Sequence, residues 1–407
     1  MGDFISQFLT TTEELFSPEA FRKWAAIATV AGVLERRVYS PARATRPTYP
    51  NLYTCLIGIS GSGKTEAINV ARALWARLDE FFLAPDNLTN AAFYDSLEAS
   101  LKTRMNGGSL DVYSAMTVCN RELGVLFPDY DRGWLSDLSD LWDNPDTWKS
   151  ARRSSKNAAG RLLTDIERPT VNILCGATPK FLSDVMPEIA WGQGFAARML
   201  YIFGHREMNS NNNGTTPPID PLKPISKTDL AQLHSMLRSI YLLEGECSWS
   251  PPAHTEIIAW FAAGEPPVPQ HARLTEYRTR RLQHAIKLSM ISAASSGHGL
   301  YIHLDDFERA LEWLTEAEEQ MPNVFSAMTS KSDSQILSAL HYHFWTKHAS
   351  VLLKDRKPIT QQELWNWLRE RVEAPRIPSI LTAAEKSGIM KKGLPDEWWP
   401  QPYDQQM

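Results

Sequence analysis

With 407 residues, 43% of them hydrophobic, the chain is long enough to bury a large core and to divide into two or three domains. No uninterrupted apolar stretch approaches the roughly 20 residues that a membrane-spanning helix needs, and no basic-then-apolar leader pattern opens the chain, so a cytoplasmic protein with no membrane partner is expected. A net charge of −5 argues against a surface coated throughout in nucleic acid.

Residues 4–38 carry helical periodicity, with Phe4, Phe8, Leu15, Phe21, Trp24, Ile27, Val30 and Leu34 on one apolar face. Pro41, Pro47 and Pro50 then break the helix and lead into an apolar strand, Leu52 to Ile57. Directly after it stands Gly58-Ile59-Ser60-Gly61-Ser62-Gly63-Lys64-Thr65, followed by a predicted helix over 64–80. The spacing G-x-x-x-x-G-K-T between strand and helix is that of a phosphate-binding loop. Glycines let backbone N–H groups close on the β-phosphate, and the helix turns its positive end towards the anion. Gly58, Ser60, Gly61, Ser62, Gly63, Lys64, Thr65 and Glu66 are therefore the candidate nucleotide contacts, with Lys64 on the β- and γ-phosphates and the Thr65 hydroxyl on Mg²⁺.

Further on, the pattern predicts a short apolar segment at 81–83, a helix over 89–105 and strands over 112–119, 171–177 and 199–203, giving a parallel sheet with helices on both faces. The polar run 209–218 reads as a flexible boundary, residues 226–322 as helical, and the last section as helices near 333–348, 360–371 and 377–387 followed by a hairpin-like tail. The expected organisation is a helical lead-in (1–48), an ATPase core (49–208), a linker (209–224), a helical lid (225–330) and a winged-helix-like module (331–407). Cys55, Cys119, Cys175 and Cys247 lie far apart without a CxxC pair, which favours buried free thiols over disulfides or zinc.

Hydrolysis needs a group to orient Mg²⁺ and the attacking water, usually acidic residues ending the neighbouring strand. That strand ends Thr117-Val118-Cys119-Asn120-Arg121-Glu122. Glu122 is the candidate base and metal-side carboxylate, although a surface turn would also use it. Arg121 stands where an acidic residue is usual. Asn120, Asp111, or Thr65 with the phosphates alone would then serve the metal. Thr178, after the strand 171–177, fits a sensor of the γ-phosphate and equally a helix N-cap. Arg198, entering the strand 199–203 from a glycine-rich turn, fits a finger reaching a neighbouring protomer's nucleotide, or an intrachain ion pair. Between Trp148 and Thr164 lie Lys149, Arg152, Arg153, Lys156 and Arg161 with no acidic residue, a candidate grip on a phosphate backbone that a solvated surface would also explain.

This order of motifs resembles an AAA+ type ATPase, nearest the branch with a basic hairpin before the sensor strand, as in superfamily 3 helicases and minichromosome maintenance proteins. Tyr49-Pro50-Asn51-Leu52-Tyr53, Asp140-Leu141-Trp142-Asp143, Pro169 to Leu174 and Gly194-Phe195-Ala196-Ala197-Arg198 more closely resemble a family of phage and prophage ATPases, described as replication helicases or found joined to primase domains. The resemblance spans roughly residues 5–320. It implies ATP and Mg²⁺ as cofactors, Lys64, Glu122, Thr178 and Arg198 as catalytic residues, and Lys149, Arg152, Arg153 and Lys156 on single-stranded DNA. It also implies a hexameric ring of identical subunits, a primase or other replication protein as partner, and a lid helix whose Arg278, Arg280, Arg281 or Lys287 touches phosphate, Arg281 being favoured. A helicase loader or initiator switch and a nucleotide-sensing antiphage ATPase are the competing functions. No acceptor pocket for a small-molecule kinase is legible.

Overall fold

Asp3 caps the first helix, α1 (Phe4–Thr11), by accepting from Ser6 N at 2.7 Å. The apolar periodicity resumes only after Pro18, in α2 (Glu19–Leu34), so the expected single lead-in is two helices with a corner at 12–18. The computed structural model describes residues 2–41, 46–106, 109–127, 130–153, 161–204, 224–329, 333–351, 355–369, 371–372, 374–393 and 396–401, with the backbone alone at 106, 109, 150–153, 161–164, 188–189, 329, 333–335 and 375. The chain forms two compact units, Met1–Phe325 and Ser326–Met407.

After β1 (Val38–Tyr39) come β2 (Tyr53–Ile57), α3 (Lys64–Trp75), α4 (Asn90–Ala99), β3 (Leu101–Asn106), β4 (Ser109–Asn120), α5 (Arg132–Trp142), β5 (Thr147–Arg153), β6 (Arg161–Glu167), β7 (Pro169–Ala177), α6 (Pro179–Val185), α7 (Glu188–Trp191), α8 (Gly194–Arg198) and β8 (Met199–Phe203). The central sheet has the order β3-β4-β7-β2-β8. β2, β7, β8 and residues 113–120 of β4 are parallel and almost wholly buried, which is why they read as near-continuous apolar runs. β3 corrects the prediction twice. The helix of 89–105 stops at Ala99, because Leu101-Lys102-Thr103-Arg104-Met105 alternates with a period of two. The few residues joining β3 to β4 also allow only antiparallel pairing, a parallel crossover needing about a dozen. The sheet is therefore mixed. Next to β4, residues 82–84 add a short parallel ladder, Thr117 N to Phe82 O at 3.0 Å and Ala84 N to Thr117 O at 2.9 Å.

α2 and α3 cover one face of the sheet and α4 and α5 the other. Thirteen of the 16 residues of α2 are buried, the expected state of a helix that is apolar all round. Gly32 makes this packing close: a Cβ there would lie 3.0 Å from the Trp75 ring of α3. α2 is thus a layer of the fold, beyond a lead-in.

The predicted linker 209–224 lies, apart from its last residue, outside the described residues. The following segment comprises α9 (Lys227–Tyr241), β9 (Gly245–Glu246), β10 (Ser248–Trp249), α10 (Pro251–Ala262), α11 (Thr275–Arg278), α12 (Arg281–Ser296), β11 (Tyr301–Ile302) and α13 (Leu304–Thr329). β9 pairs with β1, and α9 packs on α1, α2 and α3. Up to Phe325 this segment falls in the same compact unit as the sheet. Among the described residues no helix is long and apolar enough to cross a membrane.

The second unit runs α14 (Asp333–Ala349), β12 (Ile359–Thr360), α15 (Gln361–Arg369), α16 (Ile377–Lys386), β13 (Met390–Lys392) and β14 (Glu397–Pro400), with an antiparallel sheet in the order β12-β14-β13. Its core gathers Ile336, Leu340, Phe344, Leu364, Ile380 and Trp398.

Candidate functional site

The loop 58–63 leaves the tip of β2, where Gly58 N donates to Ala177 O of β7 at 3.2 Å. Gly61 and Gly63 have φ of +76° and +85°, left-handed values that a side chain resists. Gly58 is required by space: a Cβ would stand 2.6 Å from Ser62 Oγ and 2.9 Å from Gly204 O. α3 starts at Lys64 with no side-chain cap, so its first N–H groups face the loop's concavity. Lys64 is buried, and its Nζ donates to Gly58 O at 2.7 Å, Ile59 O at 2.8 Å and Ser62 Oγ at 3.2 Å. Burial lowers its pKa, opposed by the negative charge of Glu122. Ser60, Gly61 and Thr65 are exposed, Glu66 is half-buried and Ser62 is buried.

Glu122 lies just past the tip of β4, exposed and with extended backbone, before a 3₁₀ turn at Leu123–Val125. Its charge acts on Lys64 and also on the buried Cys175 thiol, whose pKa is pushed well up by a hydrogen bond with Cys55 and by burial. Arg121 is turned aside, its Nε donating to Asn69 Oδ1 of α3 at 3.0 Å. A cation at the usual acidic position is tolerated because it lies along α3. Asn120 is buried beside Cys175, and its Nδ2 has no hydrogen-bond partner among the described residues. Asp111, the other metal helper considered, pairs with Arg168 and sits nine residues back along β4, about 30 Å away at strand rise. It is excluded from the site.

Thr178 is the N-cap of α6, its Oγ1 accepting from Phe181 N at 3.2 Å, so the capping role considered for it is realised. Arg198 is buried in its own chain: Nη2 pairs with Asp143, Nη1 donates to Gly194 O at 2.8 Å, and the guanidinium stands 5.6 Å from the centre of the Trp142 ring. Since Met199 is level with Tyr53, Arg198 lies at the opposite end of the sheet from the loop, roughly 17 Å away. It cannot serve its own chain's loop, and the expected free finger is replaced by an intrachain ion pair.

Two of the lid cations, Arg281 and Lys287, are also spent inside the fold, whereas Arg278 is exposed and Arg280 half-buried. Arg281 makes a two-pronged ion pair with Glu318 at 2.8 and 2.9 Å, which corrects its assignment to phosphate. Lys287 donates to the backbone and side-chain oxygens of Asn51 and sits 3.8 Å from the centre of the Trp142 ring, with burial holding its pKa far down. Helical periodicity marks such positions as inward-facing without revealing that the inward partner is a carboxylate or a carbonyl.

The basic segment forms the antiparallel hairpin β5–β6, in register from Thr147↔Glu167 to Arg153↔Arg161. Lys149 is exposed, with its Nζ 3.7 Å from Asp165 across the ladder. Arg152 and Arg153 lie on β5, their side chains outside the description, and Lys156 lies outside the described residues. A different cluster, His298, Asp305 and Asp306, brings potential ligand atoms within 4.8 Å, but Asp306 is already engaged by Ser292, His298 and the backbone of His303.

No protein-family model and no curated protein matches this chain. The chemistry of the site lies in the loop after β2 and in the tip of β4, one strand removed.

Proposed function

We propose that this chain is a Mg²⁺-dependent ATPase of the P-loop class that works on DNA in the cytoplasm, as a helicase or translocase assembled into a ring of identical subunits. The observation that carries the reading is that two strand tips, those of β2 and β4, stand at the same end of the sheet on either side of β7. One delivers a glycine loop with Lys64 folded onto its carbonyls, and the other delivers Glu122 within electrostatic reach of that lysine. An incoming triphosphate would take the free N–H groups of the loop and of α3, and Lys64 would exchange the Gly58 and Ile59 carbonyls for phosphate oxygens. Thr65 and Glu122 are the residues fit to hold Mg²⁺, which when bound neutralises the charge of the transferring phosphoryl group. Glu122 would polarise the attacking water.

The place of the paired β5 and β6 in the chain, directly before β7, supports Lys149, with Arg152, Arg153 and Lys156, as the grip on single-stranded DNA. A ring would bring Arg198 to a neighbour's nucleotide only if the Asp143 pair opened. The helix–strand–helix–helix–strand–strand order of the C-terminal unit supports a winged-helix-like module that docks duplex DNA or a replication partner such as a primase.

ATP hydrolysis measured with and without single-stranded DNA, across protein concentration and with Lys64→Ala as blank, tests this. A rate per subunit that rises with DNA and with concentration is expected. A slow, flat rate favours the second reading, a helicase loader or initiator switch, for which Arg121 in place of an acidic residue is the specific observation.

A further inference from the structure

The polar groups at the tips of β4 and β7 are mostly committed. Thr178, just past β7, caps α6, and Arg121, just past β4, is held by Asn69. Asn120 differs. Its side chain is only 4% exposed, yet Nδ2 has no acceptor among the described residues. The position is otherwise apolar in character: Asn120 stands opposite Cys175, which stands opposite Cys55, in a row across three parallel strands. Leaving an amide donor unpaired in such a row is costly, and an aliphatic residue would fill it without loss. The cost is explained if the donor meets its acceptor only when the site is loaded.

Geometry says which acceptor. Glu122 follows two residues later with extended backbone, and residues two apart on extended backbone share a face, so Glu122 belongs to the face on which Asn120 lies. We propose that Asn120 is a catalytic residue that donates its side-chain N–H to the hydrolytic water, fixing the water from below while Glu122 takes its proton. The water oxygen bonds to the γ-phosphorus as the bond to the ADP oxygen breaks, the electron pair leaves with ADP, and the water proton passes to Glu122. This rests on the ATPase reading and deepens it, moving the water-holding role from Thr178 on β7 to Asn120 on β4.

The test uses the full chain with ATP, Mg²⁺ and a fluorescent ATP analogue, comparing wild type, Lys64→Ala, Asn120→Ala and Asn120→Asp. Asn120→Ala should bind the analogue as wild type does while kcat falls about 10²-fold, the usual loss for one preorganised donor. Asn120→Asp replaces the donor with a second carboxylate near Glu122. Its kcat should fall as well with analogue affinity kept, because an ionised carboxylate has no N–H to donate. A purely structural role would instead lower analogue affinity and melting temperature together with kcat. Wild-type kcat in Asn120→Ala overturns the proposal, as does a loss of analogue binding that tracks a lower melting temperature. A wild type no more active than Lys64→Ala instead overturns the ATPase reading beneath it.

Discussion

Gly176 offers a direct mechanical test of the strand-tip arrangement. A Cβ at this position of β7 would lie 2.5 Å from the Arg121 carbonyl oxygen and 3.4 Å from Ile68 Cδ1. The nearer clash is with backbone, so no side-chain rotation relieves it. Restoring ordinary contact in Gly176→Ala requires the Arg121 carbonyl to move about 0.9 Å, and Glu122 is the next residue. Overpacking of this kind costs about 1–3 kcal/mol of stability. A misplacement near 1 Å costs about 10²-fold in rate, equivalent to roughly 2.7 kcal/mol in the barrier. Steady-state ATP hydrolysis, nucleotide-analogue affinity and thermal denaturation of the same preparation separate these effects. Gly176→Ala should keep its affinity, because Lys64 and the loop are untouched, while kcat drops about 10²-fold. Gly124→Ala serves as the control: its Cβ meets the Phe181 ring, at 2.8 Å from Cζ, and a ring can turn away more cheaply than backbone can move. Unchanged kcat in a folded Gly176→Ala protein would refute the claim that the tip of β4 positions the reacting groups.

Other outcomes follow from the same geometry. Lys64→Ala should lose binding of the ATP analogue and keep its circular dichroism spectrum, since the lysine's partners are loop oxygens that water can reach once the side chain is gone. Arg198→Ala should destabilise the first unit by about 2–3 kcal/mol in denaturant titration, less than a fully buried pair because Asp143 is about a third exposed. A double-mutant cycle with Asp143→Ala should show the two residues coupled. Replacing Lys149, Arg152 and Arg153 by Ala should weaken single-stranded DNA binding and lower the salt slope by about 0.7 for each phosphate contact removed, whereas an unchanged slope would place DNA elsewhere. Phe344→Ala should cost the C-terminal unit about 3–5 kcal/mol and leave the melting transition of the first unit in place, because its core is assembled from its own residues.

The features that the sequence by itself determined are those written in local backbone chemistry. The loop 58–65 is legible because left-handed φ at Gly61 and Gly63, and the lack of room at Gly58, demand glycine at fixed spacing between a buried strand and a helix. The buried parallel strands are legible as apolar runs, whereas the pairing of β5 with β6 is not, because their polar, basic residues carry no apolar alternation. What only the tertiary structure decided is which partner each charged or polar side chain meets. Arg198, Arg281 and Lys287 read as cations free for phosphate, yet they are held by Asp143, Glu318 and Asn51, residues 37 to 236 positions away in the chain. Long-range pairing of this kind leaves no trace in local periodicity. β3 was hidden because a short alternating segment after a helix resembles the helix's continuation until β4 supplies its ladder. Asn120 was legible as a polar residue at a strand end, but its buried, unpaired donor emerges only when β7 is laid beside β4. Hydrogen-bond satisfaction is a property of the assembled fold, whereas glycine geometry belongs to the chain itself.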